Sequence, residues 1–334
     1  MSHLGSFCAR SFVLGSCCLA LMTGCSAPSE DTSRSSERVI YGADDRIEPS
    51  QAAPSSLAAS LTATEVALFF ASDLDVSDPT NVRPLGPTLQ QRNGLCADER
   101  FASQPTSANC SGTLLAPDLV LTAGHCVDQT TCSSTRIVLG YLMATPQELA
   151  PITSAQVFSC SSIAAWELGP ALDYAVVRLD RPTAVSSFPK PKVGELPLGS
   201  DRSLLLAGNP SGLPLKLDGG GVVRDGRAAT RDFFLADLDS FPGNSGSGVF
   251  VQDTGELAGI LVRGPNPGYE PRPGETCRRV QNLDPTKDQL IESVYVHHAI
   301  QAYCAGTNDP RLCTCGDGTC DAAGGENSAT CDAD

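Results

Sequence analysis

The segment CSGTLLAPDLVLTAGHC, residues 110–126, decides the fold of this chain. It contains two short apolar runs, and the Ala-Pro-Asp sequence at residues 116–118 between them is typical of a turn. We therefore expect an antiparallel hairpin that leads into a sharp bend presenting His125. Cys110 and Cys126 flank this hairpin and could clamp it as a disulfide.

Two further segments carry candidate chemistry. DYAVVRLD, residues 173–180, places an acid directly before an apolar strand, and FPGNSGSG, residues 241–248, is a glycine-rich turn with Ser245 at its apex. Each segment alone is ambiguous, because such an acid often caps a turn and such a turn often has no further role. A histidine beside a cysteine can likewise be structural or a metal ligand. Together, in the order His, Asp, Ser, the segments are much more specific.

A serine hydroxyl is a poor nucleophile at neutral pH and needs a base within hydrogen-bond reach. Histidine has suitable basicity, and a carboxylate on its other ring nitrogen fixes its tautomer and orientation. Glycines let the backbone turn tightly, so that the N–H groups of Gly243 and Ser245 can bind an oxyanion. We therefore predict a triad of His125, Asp173 and Ser245, with Ser247 as a rival nucleophile beyond the apex.

These segments resemble the trypsin/chymotrypsin superfamily, in particular its bacterial trypsin-like and glutamyl-endopeptidase-like branch. TAGHC, DYAVV and GNSGS match its histidine, aspartate and serine motifs, and VIYGADDR at residues 39–46 resembles the mature N-terminus of these enzymes. The resemblance covers about residues 39–304. It implies two packed antiparallel β-barrels, with His125 and Asp173 from the first barrel and Ser245 from the second.

The composition agrees with this all-β, chymotrypsin-like fold. The 334 residues include 31 Gly and 24 Pro but only 5% aromatic residues, which suits short strands and many turns. Residues 181–199, rich in Pro and Ser, form a natural connection between the two halves of the peptidase domain, and residues 297–304 a short terminal helix. The expected strands span residues 113–115, 119–122, 136–141, 174–179, 204–207, 248–251, 257–262 and 292–296.

The N-terminus carries a targeting pattern. Residues 11–22 are an apolar run too short to span a bilayer as a helix, so residues 1–24 are interpreted as a signal peptide. LMTGC resembles a bacterial lipobox, which implies cleavage before Cys25 and lipidation of its thiol; ordinary signal cleavage is the alternative. Residues 25–38 would then be a polar linker or propeptide. We expect an extracytoplasmic protein, either an outer-membrane lipoprotein or secreted.

The 15 cysteines also point to an oxidising compartment. Besides Cys110 with Cys126, Cys132 with Cys160 is a weaker candidate pair. Residues 305–334 form an acidic, cysteine-rich tail with few large apolar residues, which would need disulfides to hold a shape. Zinc binding by its thiolates is the weaker interpretation in such a compartment. The sequence predicts neither a metal nor a cofactor.

The specificity pocket departs from the family pattern. Asp239 lies six residues before Ser245, where an acid in the trypsin branch selects Arg or Lys. Asp239, Ser240 and Arg263 are therefore candidate pocket residues. Phe241 replaces the pocket cysteine of that branch, and Arg263 could neutralise Asp239 by pairing with it. A buried or capping role for Asp239 is the alternative. The glutamyl-specific branch binds an acidic side chain through a histidine on the pocket-wall strand. The matching residues 260–262 are Ile-Leu-Val, which disfavours strict Glu specificity.

Activation also departs from the trypsin pattern. Cleavage between Arg38 and Val39 would release the mature N-terminus that the motif suggests, and the interpretation of the chain as a zymogen rests on this hypothesis. In trypsin-type zymogens the freed amino group pairs with an acid directly before the nucleophile. That position is Asn244 here, so the same ion pair cannot form.

The sequence therefore predicts a serine endopeptidase that hydrolyses protein or peptide substrates through an acyl-enzyme. Cleavage after Arg or Lys is a further hypothesis, which rests on Asp239. The formal net charge of −15 disfavours nucleic acid as a partner. The oligomeric state is left open. A surface-anchored, non-catalytic binding protein on a protease fold is the alternative, whereas an α/β-hydrolase esterase fails on motif order.

Overall fold

The computed structural model describes residues 40–53, 56–265, 268–287 and 289–313. The signal peptide at residues 1–24, the linker at residues 25–38, lipidation of Cys25 and the Arg38–Val39 cut lie outside the described residues, as does the tail beyond residue 313. They stay predictions. No helix in the described part of the chain combines the length and apolar character needed to cross a membrane.

Short strands dominate the chain. In order, they are β1 (Ile40–Tyr41), β2 (Glu65–Phe70), β3 (Leu74–Asp75), β4 (Arg83–Pro84), β5 (Cys110–Ala116), β6 (Leu119–Thr122), β7 (Thr135–Leu139), β8 (Met143–Thr145), β9 (Glu148–Leu149), β10 (Val157–Leu168), β11 (Asp173–Leu179), β12 (Leu204–Gly208), β13 (Lys216–Asp218), β14 (Val223–Asp225), β15 (Phe233–Ala236), β16 (Gly248–Val251), β17 (Leu257–Arg263), β18 (Tyr269–Pro271), β19 (Arg278–Val280), β20 (Asn282–Leu283) and β21 (Ile291–Tyr295). The α-helices are α1 (Ser56–Thr64), α2 (Leu89–Asn93) and α3 (Val296–Gly306).

The first sheet is a closed barrel in the order β10-β11-β6-β5-β2-β7. Neighbouring strands are antiparallel, and the β5–β6 hairpin has the turn expected at residues 116–118. The apolar runs of β6 and β11 are buried on both faces because successive side chains alternate between two cores. Val120 and Val177 pack inside the barrel, whereas Leu121 and Val176 face the second sheet.

The second sheet has seven strands in the order β13-β12-β16-β17-β21-β15-β14. It curls over the barrel without closing, so the second half is a half-barrel instead of the full barrel that we expected. Ile260 and Val262 of β17 share one core with the outward face of the first barrel, and Tyr303 of α3 packs into the same core. The prediction of an all-β, chymotrypsin-like fold with a short C-terminal helix is confirmed.

Four disulfides cross-link the described residues. Both pairs expected from the sequence are present, Cys110 with Cys126 and Cys132 with Cys160. The sequence did not reveal the other two pairs, Cys96–Cys277 and Cys304–Cys313. The first of these joins segments 181 residues apart and the second closes a loop of nine residues.

Removing the Cys96–Cys277 bridge by a double substitution to Ser should destabilise the protein more than removing Cys304–Cys313 in the same way. A longer closed loop restricts the unfolded chain more strongly, and the difference in loop length corresponds to about 2–3 kcal/mol in the free energy of unfolding. Urea unfolding of both double variants measures this difference. Equal unfolding midpoints and slopes would contradict the expectation.

Candidate active site

His125 lies in the bend that follows β6, as the sequence predicts. The bend is closed by a hydrogen bond from the Cys126 N–H to the Ala123 carbonyl, at 3.1 Å. Gly124 is required here by close packing, because a Cβ atom at this position would lie only 2.1 Å from the carbonyl oxygen of Glu167 on β10. The missing side chain therefore lets the bend press against the strand pair that carries Asp173.

Asp173 binds His125 through both carboxylate oxygens. Its Oδ2 lies 2.7 Å from His125 Nδ1, and its Oδ1 accepts a hydrogen bond of 3.0 Å from the His125 backbone N–H. The Asp173 side chain is 3% exposed and that of His125 is 26% exposed. A buried carboxylate on Nδ1 fixes the ring so that Nε2 is the nitrogen left for chemistry.

The glycine-rich loop after Phe241 depends on two glycines with positive φ. Gly243 has φ +100°, and a Cβ there would lie 2.4 Å from the Asn209 carbonyl oxygen. Gly246 has φ +83°, and a Cβ there would lie 2.2 Å from Thr122 Oγ1 at the end of β6. Only glycine adopts this backbone without strain and packs this closely. The loop is therefore fitted directly onto the hairpin that precedes His125.

Ser111 on β5 attaches this loop to the first barrel. Its N–H donates to the Ser245 carbonyl at 2.8 Å, and its hydroxyl donates to the Gly243 carbonyl at 2.7 Å. The Ser245 carbonyl oxygen also lies 3.5 Å from Sγ of Cys126, the residue after His125. The backbone of Ser245 is thus held beside Cys126, which follows His125 in the chain. Sequence reasoning missed Ser111, whose only signal was its place beside Cys110.

Two N–H groups in the loop are available to a ligand. Within the described residues, the N–H groups of Gly243 and Ser245 have no hydrogen-bond acceptor, and the Ser245 hydroxyl has no partner. Ser247 differs, because its hydroxyl is buried and donates to Asn244 Oδ1 at 3.2 Å. Of the two serines in the loop, Ser245 is therefore the one free to react.

Asp239 binds the N-terminal segment. Its Oδ1 accepts from the Tyr41 N–H at 2.8 Å and its Oδ2 from the Asp45 N–H at 3.3 Å. The residue is 3% exposed, and the neighbouring Ser240 is fully buried. Phe241 is buried as well, stacked against Tyr269. Backbone N–H groups thus occupy both carboxylate oxygens of Asp239, which a basic substrate side chain would need.

A second buried acid lies beside Asp239. The Asp239 N–H donates to Asp218 Oδ2 at 2.8 Å, and Asp218 Oδ1 has no hydrogen-bond partner among the described residues. Burial raises the pKa of both carboxyls, and for Asp239 the adjacent Asp218 adds to this increase. A carboxyl that keeps its proton is a weak receptor for Arg or Lys.

Arg263 does not pair with Asp239, which corrects the sequence-based expectation. Its Nε donates to Glu292 Oε2 at 2.6 Å, and its terminal nitrogens donate to the carbonyls of Gly169 and Pro170 at 3.3 and 2.9 Å. Its Nη1 also lies 3.8 Å from Asp173 Oδ2. The arginine therefore reaches from the second sheet to the turn that carries the candidate catalytic acid.

Among the residues that the structure describes, two groups of side chains have donor atoms close enough together for a metal ion: Cys110 with His125 and Cys126, and Cys96 with Glu275 and Cys277. In each group both sulfurs belong to a disulfide. Zinc is bound by thiolates, which these oxidised sulfurs cannot supply.

Residues 110–260 match the model of the trypsin-like peptidase domain. A solved structure of a Glu endopeptidase is 16% identical, with a TM-score of 0.46 over 80% of this chain and 98% of that one. The VesB protease of Vibrio cholerae is also 16% identical, with a TM-score of 0.46 over 79% and 67% of the two chains. No curated protein sequence matches.

Substituting Asp239 by Asn should change how stability depends on pH. The raised pKa means that Asp239 favours the folded chain below the ordinary carboxyl value of 3.8 and loses this contribution as pH rises toward the raised value. The free energy of unfolding of the wild type should therefore fall relative to Asp239→Asn by up to about 1.4 kcal/mol per pH unit between about pH 5 and 8.

Urea unfolding at both pH values measures this effect. Asp253→Asn, on an acid that is largely exposed and pairs only with Arg202, is the control and should run parallel to the wild type. Parallel profiles for Asp239→Asn as well would show that this carboxyl is ionised in the folded protein.

Proposed function

The chain belongs, through residues 110–260, to the trypsin-like peptidase superfamily, and from this premise we propose that it is a serine endopeptidase. His125, Asp173 and Ser245 form its catalytic triad. One observation supports this most: His125 Nδ1 lies 2.7 Å from Asp173 Oδ2, while Ser111 holds the Ser245 backbone beside Cys126. These are the three groups that peptide-bond hydrolysis through an acyl-enzyme requires.

In this mechanism Ser245 Oγ attacks the scissile carbonyl carbon, and His125 Nε2 takes the hydroxyl proton. The same nitrogen then gives the proton to the leaving amine, and a water molecule hydrolyses the acyl-enzyme by the reverse sequence. Asp173 stays ionised and stabilises the imidazolium. Its burial and its two contacts with His125 suit this role because they keep the ring from rotating.

The N–H groups of Gly243 and Ser245 form the oxyanion hole. Both lack an acceptor within the described residues, and the Gly243 carbonyl is held by the Ser111 hydroxyl. Fixed donors of this kind stabilise the negative charge that develops on the carbonyl oxygen, and loss of one donor typically costs about 3–4 kcal/mol.

Arg263 is a positioning residue in this proposal. Its hydrogen bonds to the Gly169 and Pro170 carbonyls hold the turn directly before Asp173, and Glu292 orients the guanidinium from the opposite side. The Arg263 Nη1 atom also lies 3.8 Å from Asp173 Oδ2, so the guanidinium is a direct neighbour of the candidate acid. Arg263 thus acts through Asp173 and touches no reacting atom.

The proposal does not include a preference for Arg or Lys, because the N-terminal segment occupies the Asp239 carboxyl. Disulfides are compatible with an extracytoplasmic enzyme. We retain secretion, or attachment through a lipid on Cys25, as part of the proposal. The alternative, a non-catalytic binding protein, shares the fold and would lack a reactive serine.

Ser245→Ala should abolish labelling by a fluorophosphonate probe, which modifies an activated serine hydroxyl. Ser247→Ala is the matched control in the same loop and should keep labelling, because the Ser247 hydroxyl is buried and bound to Asn244. Gel fluorescence of purified, folded proteins measures the outcome. Labelling of Ser245→Ala at the wild-type rate would contradict the proposed nucleophile, and an unlabelled wild type would favour the binding protein.

Arg263→Met should lower kcat for a peptide substrate by about tenfold to a hundredfold and leave KM nearly unchanged. The reason is that small displacements of a catalytic group reduce the rate strongly without weakening substrate binding. Arg279→Met removes another arginine that binds carboxylates, Asp98 and Glu275, and is the control. A change in KM alone would show that Arg263 binds substrate and does not position Asp173.

A further inference from the structure

A buried arginine lies against the loop that carries the oxyanion hole. Arg46 belongs to the segment after β1 and is only 2% exposed. The central carbon of its guanidinium lies 4.1 Å from the centre of the Phe241 ring, which is fully buried. Removing a charged group from water is unfavourable, so a buried cation at this place needs a reason beyond general stability.

The guanidinium of Arg46 is held in one orientation. Its Nε and Nη2 donate to the two carboxylate oxygens of Asp44, at 2.9 and 2.7 Å. The side chain of Arg100 donates in turn to the backbone carbonyls of Asp44 and Arg46. A two-point contact between arginine and a carboxylate fixes direction as well as distance. Arg46 therefore forms a rigid support for the ring that it contacts.

Phe241 closes the turn that presents the first oxyanion donor. Its carbonyl accepts a hydrogen bond from the Asn244 N–H at 2.9 Å, and Gly243 lies within this turn. The Gly243 carbonyl is held from the other side by the Ser111 hydroxyl at 2.7 Å. The peptide group that carries the Gly243 N–H thus lies between two anchors, Phe241 and Ser111.

The direction of this N–H group depends on those anchors. Gly243 has φ +100°, and glycine adopts positive and negative φ almost equally well. The residue therefore permits the turn without enforcing it, and other conformations of the same peptide group would turn the N–H away from the substrate. Flanking contacts have to select the productive conformation.

A cation over an aromatic ring does not by itself indicate this role. Arg181 lies 4.3 Å over the ring of Phe158, but its side chain is 41% exposed and the ring belongs to the first barrel. The Arg46 side chain is 3% exposed. Among the residues that the structure describes, no other arginine or lysine lies over the Phe241 ring.

We infer that Arg46 is a positioning residue for the oxyanion hole and acts through Phe241. The guanidinium, oriented by Asp44, holds the ring, and the ring holds the turn at residues 241–244 so that the Gly243 N–H points toward the substrate carbonyl. Because Arg46 is buried, it does this without touching substrate. The inference rests on the proposed peptidase function and adds a residue on which its rate depends.

Arg46→Met in the full-length chain keeps the length of the side chain and removes its charge. It should lower kcat for a peptide substrate by about tenfold to a hundredfold and leave KM nearly unchanged, because a displaced donor weakens only transition-state binding. Arg46→Lys keeps the charge without the two-point contact to Asp44 and should recover part of kcat. Arg181→Met, which removes the arginine over Phe158, is the control and should keep the wild-type kcat.

Two inhibitors separate the oxyanion hole from substrate binding. Both carry the sequence on the amino side of a cut that the wild type makes, one as a peptide aldehyde and one as the corresponding alcohol. Ser245 Oγ adds to the aldehyde carbon and creates an oxyanion, whereas the alcohol binds without reaction. Arg46→Met should weaken the aldehyde by about tenfold and the alcohol by less than about twofold. Equal weakening of both inhibitors would overturn the inference.

A double-mutant cycle tests whether Arg46 acts through Phe241. Phe241→Leu removes the ring and should lower kcat and aldehyde affinity in the same way, which also provides the test should Arg46→Met fail to fold. Adding Arg46→Met to Phe241→Leu should lower kcat by less than about threefold more, because residues in one chain of contacts are not additive. Independent, additive losses would overturn the inference. Urea unfolding establishes that each variant is folded in the assay.

Fluorophosphonate labelling distinguishes failure of this inference from failure of the peptidase proposal. A wild type that is labelled and cleaves peptides, with an Arg46→Met variant of unchanged kcat and aldehyde affinity, removes the positioning role and leaves the peptidase intact. A wild type that is neither labelled nor active removes both.

Discussion

The arrangement of the site depends on the contact between Ser111 and the loop at residues 243–245. The β5–β6 hairpin carries Ser111 near one end and leads into His125 at the other, so one hairpin determines the position of both. Two hydrogen bonds from Ser111 then fix the loop that carries Ser245. Each such bond contributes only about 1 kcal/mol to stability. Their importance is geometric, because they set the separation between groups from the two sheets.

Local sequence patterns predict the parts of the fold that depend on neighbouring residues. The turn at residues 116–118 fixes the β5–β6 hairpin, and glycine requirements at Gly243 and Gly246 define the loop after Phe241. Strand β2 was missed because Glu65 opens it. In the folded protein that acid is buried, accepts a hydrogen bond from Thr113 and has a raised pKa through burial. A residue that favours solvent in most proteins is thus part of the core here, where burial makes its carboxyl harder to ionise.

Strand β10 was missed for a different reason. Its burial changes from inward-facing residues near Phe158 to exposed residues at Trp166, and its pairing with β11 contains two bulges. No single periodicity describes such a strand. The pairing of distant segments could not be predicted from the sequence either. The Cys96–Cys277 bridge is an example, because partners far apart in the chain are selected by the tertiary structure.

The ion pairs of the site also could not be predicted from the sequence and became clear only in the structure. From the sequence, Asp239 and Arg263 are opposite charges that could meet, yet each has another partner. Arg263 reaches across to Gly169 and Pro170, while Asp239 accepts backbone N–H groups and lies against Asp218. Asp173, which contacts His125, therefore has Arg263 as a neighbour, whereas burial raises the pKa of Asp218 and Asp239, the two acids behind the loop. Motifs identify the residue types in a site but not which of them remain ionised.

The way in which Asp239 holds the N-terminal segment bears on the hypothesis of cleavage between Arg38 and Val39. The donors are internal peptide groups at Tyr41 and Asp45, which exist whether or not the chain has been cut upstream. The contact forms in the intact chain and needs no free amino group, unlike the ion pair of trypsin-type zymogens, so it does not depend on that cleavage.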